Sequence, residues 1–525
     1  MRSVMTHQFS QVPRADIPRS SFDRSHGYKT TFDAGWLVPV YWDEVLPGDT
    51  FNLSMVSFGR LATPLHPFMD NMFLDAFFFF VPLRILWSNF KKFMGEQDNP
   101  GDTTSYICPT MTSTAVTGYG EMSLHDYFGI PTKIPGLTHT VFLHRAYNKI
   151  WNQWFRDQNL QNSVPDNMGD GPDSPSDYVL LRRGKRHDYF TSALPWPQKG
   201  PAVSIPIGGS APVVSNQIEV AQVSNTANWK AGTMSSGGLL DINSGGAGTI
   251  STGQALKIRD GVLSADLSLA TAQTINALRQ AFQIQKLYER DARGGTRYTE
   301  IIQAHFGVTS PDARLQRPEY LGGGSVPMNV NPIAQTSSTD TEPTPQGNLA
   351  AVGTVHMNNV GFTKSFTEHG VIIGLVSVRA DLNYQQGLNR GLSRSTRFDF
   401  YWPALSHIGE QTVLNKEIYA QGSANPTQDA AAFGYQERWA EYRYKPSVIT
   451  GQMRSNSALP LDTWHLAQNF NALPVLNGSF IEENPPIDRV IAVPSEPHIL
   501  YDSYFKLRCA RPMPVYSVPG LIDHF

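Results

Sequence analysis

Cysteine is almost absent from this chain, which has only Cys108 and Cys509 in 525 residues. A disulfide framework needs several cysteine pairs, so two distant cysteines exclude a small disulfide-stapled fold. Neither cysteine has the Cys-x-x-Cys spacing of a structural zinc site. So few thiols are typical of a protein that folds in a reducing compartment, and we expect a cytoplasmic product.

Long apolar runs are also missing. The most apolar stretch, residues 72–81, is about half as long as a helix must be to cross a bilayer. The first residues, MRSVMTHQFSQ, lack the apolar centre of a signal peptide. The sequence therefore predicts neither a membrane-spanning helix nor export.

An excess of charge of either sign is lacking too. The formal net charge is −3, from 42 Lys and Arg residues against 45 Asp and Glu residues. Because nucleic-acid binding depends mainly on cation–phosphate contacts, the chain as a whole has no strong attraction for DNA or RNA. If it encloses a nucleic acid, another molecule must neutralise most of the phosphate charge.

Sequence motifs of common enzymes do not occur. There is no phosphate-binding G-x-x-x-x-G-K-[ST] loop, no G-x-S-x-G nucleophile elbow and no H-E-x-x-H zinc motif. Glycines 322–324 lack a following lysine and helix, so we predict a turn there. His139 and His144 are five residues apart and share no helical face with a carboxylate. With 14 histidines in the chain, such a pair is expected by chance, and we predict no enzyme, metal or cofactor.

Residues 31–87 carry the clearest structural pattern. Apolar runs at 36–42, 51–58 and 72–81 are separated by residues typical of turns. The second run alternates apolar and polar side chains as a half-buried strand does, whereas the third is almost wholly apolar and predicts a strand covered on both faces. Three successive strands that each need a partner sheet favour a β-sandwich or barrel.

The rest of the chain mixes strands, helices and long loops. Further strands are predicted at 371–378, 398–402 and 499–509; the last has apolar residues on one face and charged residues on the other. Segment 320–355 is rich in Gly, Pro, Ser and Thr and is interpreted as a surface meander. Helical periodicity predicts helices at 88–94, 140–159, 269–293 and 296–306.

A glycine-rich segment stands between the strands. Residues 208–261 contain ten glycines and very few charges. They cannot form a core of their own, and loops of this length are usually functional or disordered. We predict a surface protrusion from Gly208 to Asp266, which includes Trp229, Lys230 and Asp241.

Three groups of basic residues are candidates for contacting a polyanion. The first is an extended arm at residues 1–30, with Arg14, Arg19, Arg24 and Lys29. The second is a cluster of Arg182, Arg183, Lys185 and Arg186, beside Tyr189 and Phe190 as possible stacking faces. It either holds phosphates or pairs with carboxylates of a neighbouring subunit. The third is the polar face of the last strand, with Lys506, Arg508 and Arg511, which faces either a nucleic acid or solvent.

Five segments resemble the major capsid protein of gokushoviruses, which are single-stranded DNA bacteriophages of the Microviridae. They are FSQVPRADIPRSSFDRSHGYKTTFDAG (9–35), LPGDTFNL (46–53), RLATPLHPFMDN (60–71), GKRHDYFTSALPWPQKG (184–200) and ILYDSYFKLRCARPMPVY (499–516). The resemblance implies an eight-stranded antiparallel jelly roll, a viral β-sandwich with long, partly helical insertions. It covers both ends of the chain, so we expect one capsid domain over residues 31–525.

The resemblance also implies a function and partners. It predicts a structural protein whose copies assemble into a T=1 icosahedral shell of sixty subunits, because one chain in one environment closes such a shell. Expected partners are a circular single-stranded DNA genome, a small basic DNA-binding protein, a scaffolding protein, a DNA pilot protein and a host receptor contacted by the protrusion. Assembly is expected in the bacterial host cytoplasm. The residues alone leave two alternatives open, a jelly-roll lectin and a cupin-type enzyme; the predicted strands lack the histidine cluster that a cupin needs.

The end of the chain has an unusual composition. Segment 512–525 has three prolines, which prevent continued strand pairing. It nevertheless carries apolar side chains, among them Tyr516, Leu521, Ile522 and Phe525. We predict an assembly tail that docks on another subunit, with folding back onto its own subunit as the alternative.

Overall fold

The structure is a computed structural model that describes residues 18–201, 203, 213–214, 219–222, 228–230, 256–258, 264–265, 275–295, 297–312, 316–337 and 346–516. The chain forms two compact units. Unit 1 consists of Met1–Pro197 and Gly294–Phe525, and unit 2 is Gln198–Arg293. Residues 198–293 were predicted to belong to the insertions of one capsid domain, and that domain assignment stays a prediction.

Unit 2 contains short strands and a long helix. In its described part, Glu219–Gln222 pairs with both Asn228–Lys230 and Leu256–Ile258, and Val213–Val214 pairs with Ser264–Ala265. The helix spans Ile275–Gly294, which confirms the predicted helix from residue 275 onward. No helix in the described ranges is long and apolar enough to cross a membrane.

Unit 1 is built on one antiparallel sheet. Its nine strands are β1 (Ser20–Asp23), β2 (His26–Phe32), β3 (Val38–Val45), β4 (Thr50–Leu61), β5 (Met72–Pro82), β6 (Glu319–Ala334), β7 (Leu349–Ser365), β8 (Gly370–Ala380) and β9 (Ile499–Arg511). The order across the sheet is β1-β9-β4-β7-β6-β5-β8-β3, and β2 also pairs with β9. Because β1 and β2 lie one after the other along a single edge of β9, the sheet has eight strand positions.

Strand β6 joins the two halves of the sheet. It pairs with β5 through residues 319–328 and with β7 through residues 329–334. The sheet curls, so that its two end strands face each other. His26 of β2 stacks on Tyr41 of β3 with ring centroids 5.8 Å apart. This mainly β, curled antiparallel arrangement confirms the predicted jelly-roll class.

The main core lies between the two halves. Strand β9 alternates buried and exposed residues along most of its length, and its buried side chains include Tyr501, Phe505 and Leu507. Phe32 of β2 packs against Tyr501 with ring centroids 5.8 Å apart. The alternation predicted for the last strand is therefore confirmed.

A second core covers the outer face of the other half. The helix Phe142–Ile150, followed by a π-helical turn at Trp151–Phe155, packs on β5 and β8. The Tyr147 hydroxyl donates a hydrogen bond to the carbonyl of Leu37 at 2.8 Å. Every residue of β8 is buried, and β5 has no exposed residue. The prediction of a strand covered on both faces is thus confirmed for β5.

Two predictions about strands were wrong. Segment 320–355, interpreted as a meander, contains nearly all of β6 and the beginning of β7, the two longest strands of the sheet. Its glycines are needed for close packing, since a Cβ on Gly323 would lie 2.2 Å from the carbonyl oxygen of Ala76. Segment 398–402 is not a strand: the short helix Arg397–Asp399 begins it, and the Asp399 carboxylate accepts backbone N–H bonds from Ser395 and Thr396.

The N-terminal arm differs from its prediction as well. From residue 20 onward it is not free, because β1 and β2 form backbone hydrogen bonds with β9. The segment is polar because these strands bury few of their side chains, and the composition of an edge strand resembles that of a solvated arm. Residues 1–17 lie outside the described residues.

The remaining elements of unit 1 are short and stand mostly in the loops. The helices are Phe90–Phe93, Leu124–Tyr127, Tyr298–Phe306, Asn415–Ile418, Pro426–Ala430 and Gly478–Ile481. The short helical turns are Leu83–Ile85, Pro175–Asp177, Arg390–Leu392, Pro403–Leu405, Gly422–Ala424, Ala440–Tyr442, Gly451–Met453, Asp462–Trp464 and Ile487–Arg489. The short strands are Thr110–Thr112, Thr138–Thr140, Asn383–Tyr384, Glu410–Leu414, Ala432–Glu437 and Ser447–Val448.

Candidate nucleic-acid interface

The outward face of β9 and β4 presents exposed cations. Lys506 and Arg508 alternate with buried residues of β9 and are exposed. Arg60 of β4 is exposed directly opposite Leu500. Cross-strand partners share a face of the sheet, so these three cations project from the same surface. We call Arg60, Lys506 and Arg508 the sheet-face cations.

Aromatic and acidic side chains complete this surface. Phe58 and Tyr504 are each 48% exposed on the same face. Lys29 is also there, 3.3 Å from Asp502, and both side chains of this pair are largely exposed. Hydrogen bonds from Ser25, with a smaller contribution from Arg508, hold the pKa of Asp23 below its usual value. The surface therefore combines cations with stacking rings, the combination that single-stranded nucleic acids bind.

Two of the predicted DNA-facing residues have structural roles instead. Arg24 forms an ion pair with the buried carboxylate of Asp43 at 2.5 Å. Arg511 lies 3.1 Å from Asp49, whose side chain is fully buried, and donates to the carbonyl of Glu44 at 2.6 Å. These contacts tie β9 and the link between β1 and β2 to β3 and the turn that follows it. Arg19 donates to Thr50, and Arg14 lies outside the described residues.

The basic cluster at 182–186 points mostly inward. Arg183 forms an ion pair with the buried Asp75 at 2.5 Å, and Arg379 contacts the same carboxylate at 2.9 Å. The guanidinium of Arg182 lies 4.1 Å from the centre of the Trp36 ring. The ammonium of Lys185 donates to a backbone carbonyl at 2.6 Å, and burial lowers its pKa.

The remaining members of this region fit a structural role too. Arg186 is exposed and lies 3.9 Å from Asp381. Tyr189 and Phe190, predicted as stacking faces, are buried at 4% and 3% exposure, so that prediction was wrong. They pack in a third apolar cluster beneath the loops. The carboxylates that these cations contact belong to their own chain.

Histidines come together where the sequence showed only a distant pair. His125 Nδ1 and His144 Nε2 are 2.9 Å apart, and the ring of His139 lies 5.3 Å from that of His144. Tyr119 stacks on His125 at 3.9 Å and contacts His139 Nε2 at 2.8 Å. Sequence spacing missed His125 because it comes from the separate helix Leu124–Tyr127. Among the described residues, no group of histidine, cysteine and carboxylate side chains has the arrangement of a metal site.

Burial disfavours the charged form of all three histidines. It lowers the pKa of His125 to about 4 and that of His139 below its usual value. His144 is almost fully buried, and burial together with its histidine neighbours holds its pKa far below the usual value. Arg145, the residue after His144, pairs with Asp173 at 2.7 Å, and Tyr178 contacts both Asp173 and the ring of His144. The cluster is therefore neutral at pH 7.

The predicted attachment loop and tail are only partly described. Trp229 and Lys230 belong to the strand Asn228–Lys230, and Asp241 lies outside the described residues. In the tail, Tyr516 is 84% exposed, and Met513 and Val515 are exposed as well. Leu521, Ile522 and Phe525 lie outside the described residues. Up to residue 516, the tail's apolar side chains do not fold back into the core of their own unit.

The ion pair of Arg183 predicts a stability effect. Replacing Arg183 by Gln should lower the free energy of unfolding by somewhat less than the roughly 3–5 kcal/mol typical of a broken buried pair, because Arg379 still contacts Asp75. Arg186→Gln is the matched control and should cost less than about 1 kcal/mol, since that side chain is exposed. Urea unfolding of the purified chain measures both. Equal, small losses would contradict the structural role.

The histidine cluster predicts a loss of stability in mild acid. The unfolded chain binds protons at these histidines below about pH 6.5, whereas the folded chain does not until about pH 4 for His125. Stability is therefore complete above about pH 6.5 and is lost as the pH falls below it, by at most about 1.4 kcal/mol per pH unit and histidine. Urea unfolding at pH 7, 6 and 5 measures this slope. His125→Phe, which keeps the ring stack on Tyr119, should flatten it; an unchanged slope would show that the cluster does not titrate.

Comparison with known proteins identifies relatives along almost the whole chain. A family model described as capsid protein (F protein) matches residues 10–521. The chain is 50% identical to capsid protein VP1 of Bdellovibrio phage phiMH2K and 47% identical to that of Chlamydia phage 1. It is 39% identical to capsid protein VP1 of Spiroplasma virus 4, and each match covers 99% of this chain and 98% of the relative. These matches favour a structural capsid protein over a lectin or an enzyme. The chain belongs to the F-protein family of phage capsid proteins.

Proposed function

We propose that the chain is the major capsid subunit of a T=1 icosahedral shell of sixty copies, which encloses a circular single-stranded DNA genome. The match to capsid proteins along almost the whole chain supports the shell. A single kind of subunit closes such a shell through contacts around its rotation axes. The observation that carries contact with the genome is the surface with the sheet-face cations Arg60, Lys506 and Arg508 beside Phe58 and Tyr504.

The charges of the chain set the character of this contact. Arg24 and Arg511 are already paired with carboxylates, so they add little to phosphate binding. The sheet-face cations are few, and the chain carries a net charge of −3. Binding is therefore weak, salt-sensitive and independent of base sequence. A small basic DNA-binding protein is the natural partner, because it supplies the positive charge that this chain lacks.

The sheet-face cations give a quantitative prediction. Replacing Arg60, Lys506 and Arg508 by Gln should reduce the slope of log affinity against log salt concentration by about 2, since each lost phosphate contact on a single strand accounts for about 0.7. Fluorescence anisotropy with a labelled thymidine oligonucleotide measures the slope. The control is Lys91→Gln combined with Lys92→Gln, because these lysines lie on the short helix Phe90–Phe93 and not on the face of the sheet. An unchanged slope in the triple variant would place the DNA elsewhere.

The second part of the proposal concerns the protrusion at 208–266. Its length and its low charge support a surface element, and the family resemblance supports clustering of three copies around threefold axes and contact with a host receptor. Replacing the segment by a short Gly-Ser linker should leave shells intact and abolish adsorption to host cells. Adsorption counts and electron micrographs of the same particles separate the two effects. Normal adsorption would exclude this segment as the attachment element.

The third part concerns the tail at 512–525. The exposure of Met513, Val515 and Tyr516 supports docking on another subunit, because apolar side chains on a free end gain free energy when they are buried. A chain that ends at Arg511 should be soluble and folded but unable to form shells. Sedimentation and circular dichroism measure these properties. An insoluble or unfolded product would place the tail in its own subunit's core, and normal shells would leave it without a role in assembly.

Further partners follow from the family alone. We propose that assembly takes place in the host cytoplasm with a scaffolding protein and a DNA pilot protein. The two widely separated cysteines support folding in a reducing compartment. Co-expression of the chain with and without a scaffolding protein, followed by negative-stain microscopy, tests whether the chain closes shells unaided.

A further inference from the structure

An exposed group of aromatic rings lies in the long segment between β8 and β9. Phe398, Phe400, Tyr401, Trp402 and Tyr442 are each between 48 and 54% exposed. Contacts join them: the rings of Tyr401 and Tyr442 are 6.3 Å apart, and Arg438 donates to the carbonyl of Phe398. We call these five residues the aromatic patch. A monomeric protein rarely exposes so much contiguous apolar surface without a partner.

The patch is held rigid before any partner binds. The guanidinium of Arg394 lies between two of its rings, 5.0 Å from Phe400 and 4.5 Å from Tyr442. The indole N–H of Trp402 donates to the carbonyl of Arg397 at 2.8 Å. The Tyr442 hydroxyl accepts a hydrogen bond from the backbone N–H of Tyr401 at 3.4 Å, so the polar groups of both rings have partners within their own chain. Docking on such a surface loses little side-chain entropy.

The charges around the patch favour a protein over a nucleic acid. Arg390 pairs with Glu417 at 2.8 Å, and Arg394 lies 3.8 Å from Glu441. A third arginine, Arg443, pairs with Glu437. These three cations are compensated by carboxylates of their own chain, whereas Arg397 and Arg438 lie over the rings of Phe398 and Trp439, so a polyanion would find two cations here rather than five. Of the sheet-face cations, by contrast, Arg60 and Lys506 form no ion pair among the described residues.

The composition of the patch indicates what kind of protein binds. Tyr, Trp, Phe and Arg are enriched at the centres of protein–protein interfaces, where Lys, Asp and Glu are depleted. The partner that a capsid family requires is another copy of the same chain. We propose that the aromatic patch is a contact between neighbouring copies of this chain in the shell. The inference rests on shell assembly and adds the surface that mediates part of it.

The first test removes one ring. Trp402→Ser should give soluble chain with the wild-type melting temperature but at least about tenfold fewer particles, because aromatic residues at interface centres dominate binding. Tyr298→Ser is the control, since the Tyr298 ring is 69% exposed on a helix outside the patch. Wild-type particle yield from Trp402→Ser would overturn the inference. Failure of the wild-type chain itself to form particles would instead overturn the proposed shell.

The second test needs no destabilising substitution. The photoreactive residue p-benzoylphenylalanine at position 401 should cross-link neighbouring chains in assembled particles and give a product of twice the chain mass. The same label at position 298 is the control for non-specific contacts. Cross-linking of position 401 to DNA, or no chain-to-chain product above the control, would overturn the inference even if Trp402→Ser were insoluble.

Discussion

The two strands β5 and β8 have no exposed residue on either face, and the rest of unit 1 is arranged so that water is excluded from both faces. One face packs against the other half of the curled sheet, and the other packs beneath the helix Phe142–Ile150. Each buried aromatic or aliphatic side chain contributes roughly 1.5–3 kcal/mol relative to exposure. Because both faces of β5 and β8 must be covered, the segment that follows β5 folds over the outer face. Its helix Phe142–Ile150 is amphipathic because one side of it packs on these strands.

Charge has two separate uses in this chain. Buried ion pairs such as those of Arg24, Arg183 and Arg511 join segments distant in sequence, with each cation opposite a buried carboxylate. Such pairs specify how elements dock more than they add net stability. Arg60 and Lys506, which form no ion pair among the described residues, are displayed on the sheet face. A count of basic residues does not distinguish the two uses. They are distinguished by whether a carboxylate lies opposite the cation in the folded chain.

Hydrophobic periodicity in the sequence predicted most of the fold but little of the candidate site. Alternation predicted β4 and β9, and a continuous apolar run predicted β5, because burial dictates those patterns directly. Strands β6 and β7 were missed since their glycines, such as Gly323, reflect close approach of neighbouring backbones rather than turns. The role of Arg183 depends on Asp75, 108 positions away, and the aromatic patch was mistaken for a strand at 398–402. Such juxtapositions depend on tertiary contacts that local patterns do not encode.

The position of β9 couples the folding of the shell subunit to the completion of its synthesis. Strand β4 pairs with β9, the last strand among the described residues, so this edge of β4 has no partner until β9 leaves the ribosome. An incomplete chain thus presents an unpaired edge and half a core, features that attract chaperones and proteases. Only a chain translated to its final strand acquires the curled sheet. A chain cut short before Ile499 therefore lacks both the partner of β4 and the buried side chains that β9 adds to the core.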